Sequence, residues 1–255
     1  MRIDPRRFDL LVLVPWLVLA PAFAQSPHYP VKPITVIVSY SAGGNNDLRA
    51  RQLAVPVAAM LGKPVVVENR PGAAGNIGHT AVARAAADGY TLGIGAMGPL
   101  AVNGALYPDM SFDRTSFTPI ILIERAPLVL VTRADKPYKS IAEVVAAAKA
   151  KPGTIAVGNA GPGGAHHLAA KALEQAAGIE FIHVPYKGGG PASMALLGGE
   201  IEMMFEQTYA ALPSIQAGRT RALAVPARNG CPACRTCRRR RSSATRRRPY
   251  RIGSG

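Results

Sequence analysis

The chain predicts an α/β fold with parallel-rich sheets and helices on both faces. Three observations carry that expectation. Short apolar runs alternate with segments of helical length along most of the sequence. Each run closes on a turn rich in glycine and other small residues, such as Ala42-Gly43-Gly44 and Gly161-Pro162-Gly163-Gly164. Hydrophobic residues make up 48% of the chain, enough to bury a core. Strict alternation sets successive strands parallel and gathers the turns at one sheet edge, where such folds bind ligands.

The first strand is expected over 34–39, followed by the glycine turn and a helix from about Asp47 to Leu61. Asp47 is placed to cap that helix with its own carboxylate. Pro56 inside it predicts a kink or a break, because an interior proline costs about 3 kcal/mol. A second strand, 65–67, leads into Gly75-Asn76-Ile77-Gly78 and an alanine-rich helix ending near Asp88-Gly89; a third covers 90–94. A change of domain is expected near 124–135, with a strand at 128–131. Ser140 then caps a helix, with Glu143 at the capping-box spacing. Further strands are expected at 154–158, 181–184, 201–205 and 221–225, with helices from about Ala165 to Ala177 and from the Tyr186-Lys187-Gly188-Gly189-Gly190 turn to Leu197.

The formal charge of +15 at pH 7 resembles a nucleic-acid signal, but its distribution argues otherwise. Residues 226–255 hold ten Arg and no acid, whereas 25–225 hold seventeen basic and thirteen acidic residues. The N-terminus reads as an export signal: Arg2, Arg6 and Arg7, then an apolar core from Leu10 to Ala20, then Ala22-Phe23-Ala24 as a cleavage site. That places the mature chain, from Gln25, in the periplasm. The body contains no cysteine. Cys231, Cys234 and Cys237 fall short of the usual four zinc ligands. A single-base shift of reading frame near 226–230 accounts for the Arg- and Cys-rich tail, which is expected to be disordered. The resulting division is 1–24 signal peptide, 25–125 first domain, 126–225 second domain and 226–255 tail.

Several catalytic patterns are weak or missing. Gly93-Ile94-Gly95-Ala96-Met97-Gly98 matches a dinucleotide fingerprint formally, yet Pro99 and Asn103-Gly104 oppose the long helix it needs. No G-x-S-x-G elbow occurs. His166 and His167 point about 100° apart on a helix, so they do not share one metal ion; His167 is expected to orient a loop or touch ligand, with His166 solvated. His79 and His183 read as structural, and Lys187 as an exposed loop lysine. What the turns do offer is unpaired N–H groups at helix starts, where the dipole favours an anion and glycine lets it approach.

These turns, in this order, resemble the Bug-type periplasmic substrate-binding receptors of tripartite tricarboxylate transporters (TctC-like). The resemblance rests on Val65-Val66-Val67-Glu68-Asn69-Arg70-Pro71-Gly72, Gly75-Asn76-Ile77-Gly78, Asp88-Gly89-Tyr90-Thr91-Leu92, Asn103-Gly104-Ala105-Leu106-Tyr107-Pro108, His183-Val184-Pro185-Tyr186-Lys187-Gly188 and Arg221-Ala222-Leu223-Ala224-Val225. It implies a two-domain periplasmic-binding-protein-like fold (type II) that closes on a small carboxylate, without metal, cofactor or chemistry. It also implies transporter subunits in the membrane as partners, a monomer, no nucleic acid, and a first domain left incomplete where the later chain would return to it. Tyr40-Ser41 and Glu206 depart from the family's usual residues. The cleft is expected to be lined by Tyr40, Ala42, Gly43, Gly44, Asn45, Asp47, Asn76 and Gly98 on one side. Asn159, Gly163, His167, Tyr186, Gly188, Gly189 and Glu206 face them. Two other readings remain: an exported α/β enzyme acting on a small carboxylate through Asp47, His167 or Glu206, and a nucleic-acid binder using its basic tail.

Overall fold

The computed structural model describes residues 28–224 of the chain. The expected export signal and the Arg-rich tail lie outside the described residues. Two sheets form two lobes. The first sheet has three parallel strands in the order β2-β1-β3: β1 (Ile34–Val38) lies between β2 (Val65–Asn69) and β3 (Thr91–Gly93). The second has five strands in the order β6-β5-β7-β4-β8. Its members are β4 (Leu128–Arg133), β5 (Ala156–Asn159), β6 (Ile182–Pro185), β7 (Met203–Gln207) and β8 (Thr220–Ala224). The parallel expectation holds for β5, β6 and β7, but β4 runs antiparallel to both β7 and β8.

Each sheet is covered on both faces. In the first lobe, α1 (Asn45–Leu61) covers the face where Val36 and Val38 meet Ala50. On the other face lies α2 (Asn76–Ala83), so close that a Cβ on Gly78 would stand 2.7 Å from the Ser39 Cα. Only glycine permits that approach. In the second lobe, α4 (Ile141–Ala150) and α5 (Ala165–Ala177) pack Val144, Ala148 and Ala170 against Val157 and Met203. The opposite face takes α6 (Gly189–Gly198) and α7 (Thr208–Gln216), through Leu196 and Ala211 against Val131 and Met204. Between the lobes, a π-helical turn (Gly98–Val102) runs into α3 (Asn103–Leu106), and an irregular crossover follows as far as β4.

Several expectations are corrected. Helix α1 starts at Asn45, with Gly44 as N-cap, so Asp47 lies inside the first turn instead of before it. The helix also runs unbroken through Pro56. That residue is exposed, so water can satisfy the carbonyl one turn back that its missing N–H leaves unpaired. Helix α2 ends at Ala83, short of Asp88-Gly89. Helix α7 carries no clear sequence signal and was not anticipated.

Candidate functional site

The turns at the carboxyl ends of β1, β2, β5 and β6 face one another across the junction of the lobes. Four helices start there on a glycine: Gly44 for α1, Gly75 for α2, Gly164 for α5 and Gly188 for α6; α7, after the parallel strand β7, starts at the same edge on Gln207, also without a side-chain cap. None of the four has a side-chain cap. Helix α4 follows the antiparallel strand β4 and so begins at the opposite edge. It is capped: the Ser140 hydroxyl accepts the Glu143 N–H, while the Glu143 carboxylate accepts the Lys139 N–H at 2.8 Å. The contrast is chemical. First-turn amides are left without a side-chain acceptor where the lobes meet, and are satisfied where they do not.

The lobes touch through bare backbone. The Ser41 N–H donates to the Lys187 carbonyl at 2.9 Å. A Cβ on Gly44 would stand 3.2 Å from the Gly190 nitrogen, and one on Gly161 would stand 3.4 Å from the Ala74 Cα. Ala73 and Ala74 take left-handed conformations (φ 46° and 53°), an uncommon cost for residues with a Cβ. Their turn lets the Ala74 carbonyl accept from the Tyr40 hydroxyl at 3.4 Å and from Asn103 Nδ2 at 3.2 Å.

Each expected residue has a definite place. Tyr40 lies beside Gly75 and Gly98, and burial, with a contribution from Tyr107, pushes its hydroxyl pKa up to about 12. The Gly43 N–H is already engaged: it donates to Asp47 Oδ2 at 3.0 Å. Burial works against the Asp47 charge, but Arg51, the Gly43 amide and Asn69 hold its pKa below the usual carboxylate range. The Asn76 side-chain carbonyl accepts from Asn103 Nδ2 at 2.6 Å. Asn159 is buried and its Oδ1 accepts the Gly161 N–H. Gly163 (φ 71°) points its bare Cα at Val102, Asn103 and Leu106 of the first lobe, and its N–H donates to His167 Nδ1 at 3.2 Å. His167 is therefore neutral there. Burial lowers its pKa, and His183 and Lys171 lower it further.

Other residues serve differently from expectation. The Tyr186 ring packs against the core of the second lobe. Glu206 lines a cavity of about 250 Å³ between α6 and α7, together with Ser193, Leu196, Pro213 and Thr220. Its carboxyl accepts from the Ser193 hydroxyl, and burial raises its pKa. Its other oxygen stands 4.0 Å from His166 Nε2, close behind Gly189. His166 is not solvated: it is 4% exposed and bonds Gln207 Oε1 at 2.6 Å. His79 is buried too, with Nδ1 shared between Ser39 Oγ and the Gly75 carbonyl. Residue-by-residue reading of the sequence missed His166, Ala74 and Asn103 as parts of the junction. Asn103 carried a signal, because it opens one of the matching motifs. Among the described residues, Asn45 Oδ1, Asn103 Oδ1, His166 Nδ1 and Glu206 Oε1 are buried without a hydrogen-bond partner. No cluster of three or more His, Cys, Asp or Glu residues suited to a metal occurs among the described residues.

Comparison with known proteins agrees with this architecture. Residues 49–237 match the model of the tripartite tricarboxylate transporter family receptor. The chain belongs to that family. The protein BugT of Bordetella pertussis is 39% identical over 210 residues, covering 82% of this chain and 64% of that one. A second relative from the same species, of the UPF0065 group, is 34% identical over 209 residues and is covered to 65%. The chain thus spans just under two thirds of the length of these curated relatives. Among solved structures, a periplasmic transporter aligns with a TM-score of 0.76 at 38% identity, over 78% of this chain and 67% of that one. MatC of Rhodopseudomonas palustris, solved with bound malate, aligns at 0.73 and 32% identity, over 78% and 68%. Another R. palustris protein, solved with adipate, aligns at 0.75 and 33%, over 78% and 67%. As a member of this family, the chain has the two-lobed periplasmic-binding-protein architecture that its sequence anticipated.

Proposed function

We propose that this protein is a periplasmic solute-binding receptor that captures a small carboxylate between its lobes for a tripartite transporter. One observation carries the reading: four helices start on uncapped glycines at the facing sheet edges, whereas α4, starting at the far edge, is capped. An ionised carboxylate is the acceptor that such starts lack, and the helix dipoles favour its charge. The solved relatives with malate and adipate support the same class of ligand. Asn45 Oδ1 and Asn103 Oδ1, buried and free of protein partners, are acceptors and would suit a hydroxyl or other donor on the ligand, not its carboxylate. Tyr40, Gly44, Asn76, Gly98, Gly163, Gly188 and Gly189 remain the proposed lining. Gly43 and Asp47 shape the turn beneath it.

Receptor behaviour fits this site better than catalysis. Asp47 is tied to Arg51 and Asn69, His167 accepts from Gly163, and Glu206 is held by Ser193. Asp47 and His167 are occupied in holding structure, and Glu206 is buried behind Gly189. Family membership supports a receptor as well. No helix among the described residues is long and apolar enough to cross a membrane.

The test is a calorimetric and thermal-shift panel on the full chain, with malate, adipate and unsubstituted C4–C6 dicarboxylates. Saturation at about 100 times Kd adds about 2.7 kcal/mol of stability, a readily visible rise in Tm. Gly190→Val places a side chain against the Ala42 carbonyl and the Gly43 backbone. It should weaken binding more than about tenfold, through blocked closure, with circular dichroism unchanged. No response to any carboxylate overturns the reading.

A further inference from the structure

One side chain joins α1, the crossover and α7. Arg49 lies one turn beyond Asn45 on α1. Its Nε donates to Glu124 Oε2 at 2.6 Å, its Nη2 pairs with the same oxygen, and its Nη1 donates to Gln52 Oε1 at 2.8 Å. Its guanidinium carbon stands 3.7 Å from the centroid of the Tyr209 ring. Glu124 belongs to the crossover, and its second oxygen accepts from Asn45 Nδ2. Tyr209 belongs to α7 of the second lobe. The preceding residue, Thr208, is fastened to the end of the crossover by two bonds to the Pro127 carbonyl, at 2.8 Å from its hydroxyl and 3.2 Å from its amide. Arg49 and Glu124 are each about one fifth exposed, so water competes only partly for this cluster.

We propose that Arg49 is a positioning residue that latches the lobes closed around the uncapped start of α1, through Glu124 in the crossover and the Tyr209 ring in the second lobe. The two halves of the latch differ in role. Glu124 holds Asn45 by its amide nitrogen, which fixes Asn45 Oδ1 as the free acceptor at the head of α1. Tyr209 supplies the breakable half: the ring face leaves the guanidinium when the lobes part, while the Arg49–Glu124 pair travels together. A fork of donors lying flat on a ring is geometry that lysine cannot reproduce. The latch takes its purpose from the receptor reading, but its operation can be measured without ligand.

The experiment is amide hydrogen exchange on the full chain, resolved by NMR. The reporter is the Ser41 amide, whose acceptor, the Lys187 carbonyl, lies on the other lobe. Tyr209→Leu and Arg49→Lys should each speed its exchange about 3- to 10-fold, the range expected for losing a partly buried cation–π contact. The Val36 and Val131 amides, inside the two sheets, should keep their rates. Tyr209→Phe keeps a ring face and should behave as the wild type. An unchanged Ser41 rate in Tyr209→Leu overturns the latch, and so does a parallel rise at all three amides, which would mean general loosening. Failure of the carboxylate panel leaves this outcome unaffected, so the two readings fall separately.

Discussion

Asp47 shows how one residue can forgo the role its position suggests. Its side chain is 3% exposed, and it reaches back to the Gly43 amide while binding Arg51 and Asn69. Because its folded pKa lies below the unfolded value, its stabilisation is present above the ordinary carboxylate range and fades as pH falls through the folded pKa. Asp47→Asn should therefore cost about 1–3 kcal/mol at neutral pH, since it removes the buried charge that Arg51, Asn69 and the Gly43 amide bond. The gap between variant and wild type should close in acid. Urea titrations from pH 7 down to about pH 2, below the ordinary carboxylate range, check this, and a gap independent of pH would sink the assignment. The Gly43 amide also shows why a turn's donors cannot be counted from sequence. A carboxylate four residues on claims one of them, and only the folded turn shows it.

At the scale of elements, the helix starts separate function from stability. Ser140 serves only α4, so Ser140→Ala should cost about 1 kcal/mol and leave ligand affinity unchanged. Pro56 is the opposite case, a residue that α1 tolerates at its own expense. Pro56→Ala restores an N–H to the helix interior and should raise Tm by the equivalent of about 1–3 kcal/mol, partly offset by a freer unfolded chain. A fall in Tm would mean that the proline supports a packing contact. Its exposure argues against one. The sequence pattern placed α5 to the residue and capped α4 correctly, because helix ends there coincide with glycine or serine. It failed at α7, whose Pro213 and mixed polarity hide a helix that packing on β4, β7 and β8 stabilises. It failed also at β4, whose direction is set by its partners and not by its own residues.

At the scale of the whole molecule, the crossover is the exposed feature. Ile120, Ile121 and Leu122 are 76%, 79% and 64% exposed, in a stretch without strand pairing among the described residues. Contiguous apolar exposure of this kind drives association. The full chain should bind a hydrophobic dye and self-associate with concentration in sedimentation velocity. Ile121→Lys should reduce both. A monodisperse wild type that binds no dye would count against this.

From the amino-acid order alone came the alternation of strand and helix, the glycine at each turn, and the similarity to a receptor family, because these rest on local sterics and on spacing. Tertiary structure alone decided which groups meet. It set Glu206 behind Gly189, buried His166, and brought Ser41 to Lys187 and Arg49 to Tyr209, across separations that no local pattern encodes. Local preference acts over a few residues. A site built from the ends of strands far apart in the chain exists only once two sheets have packed and turned those ends toward each other.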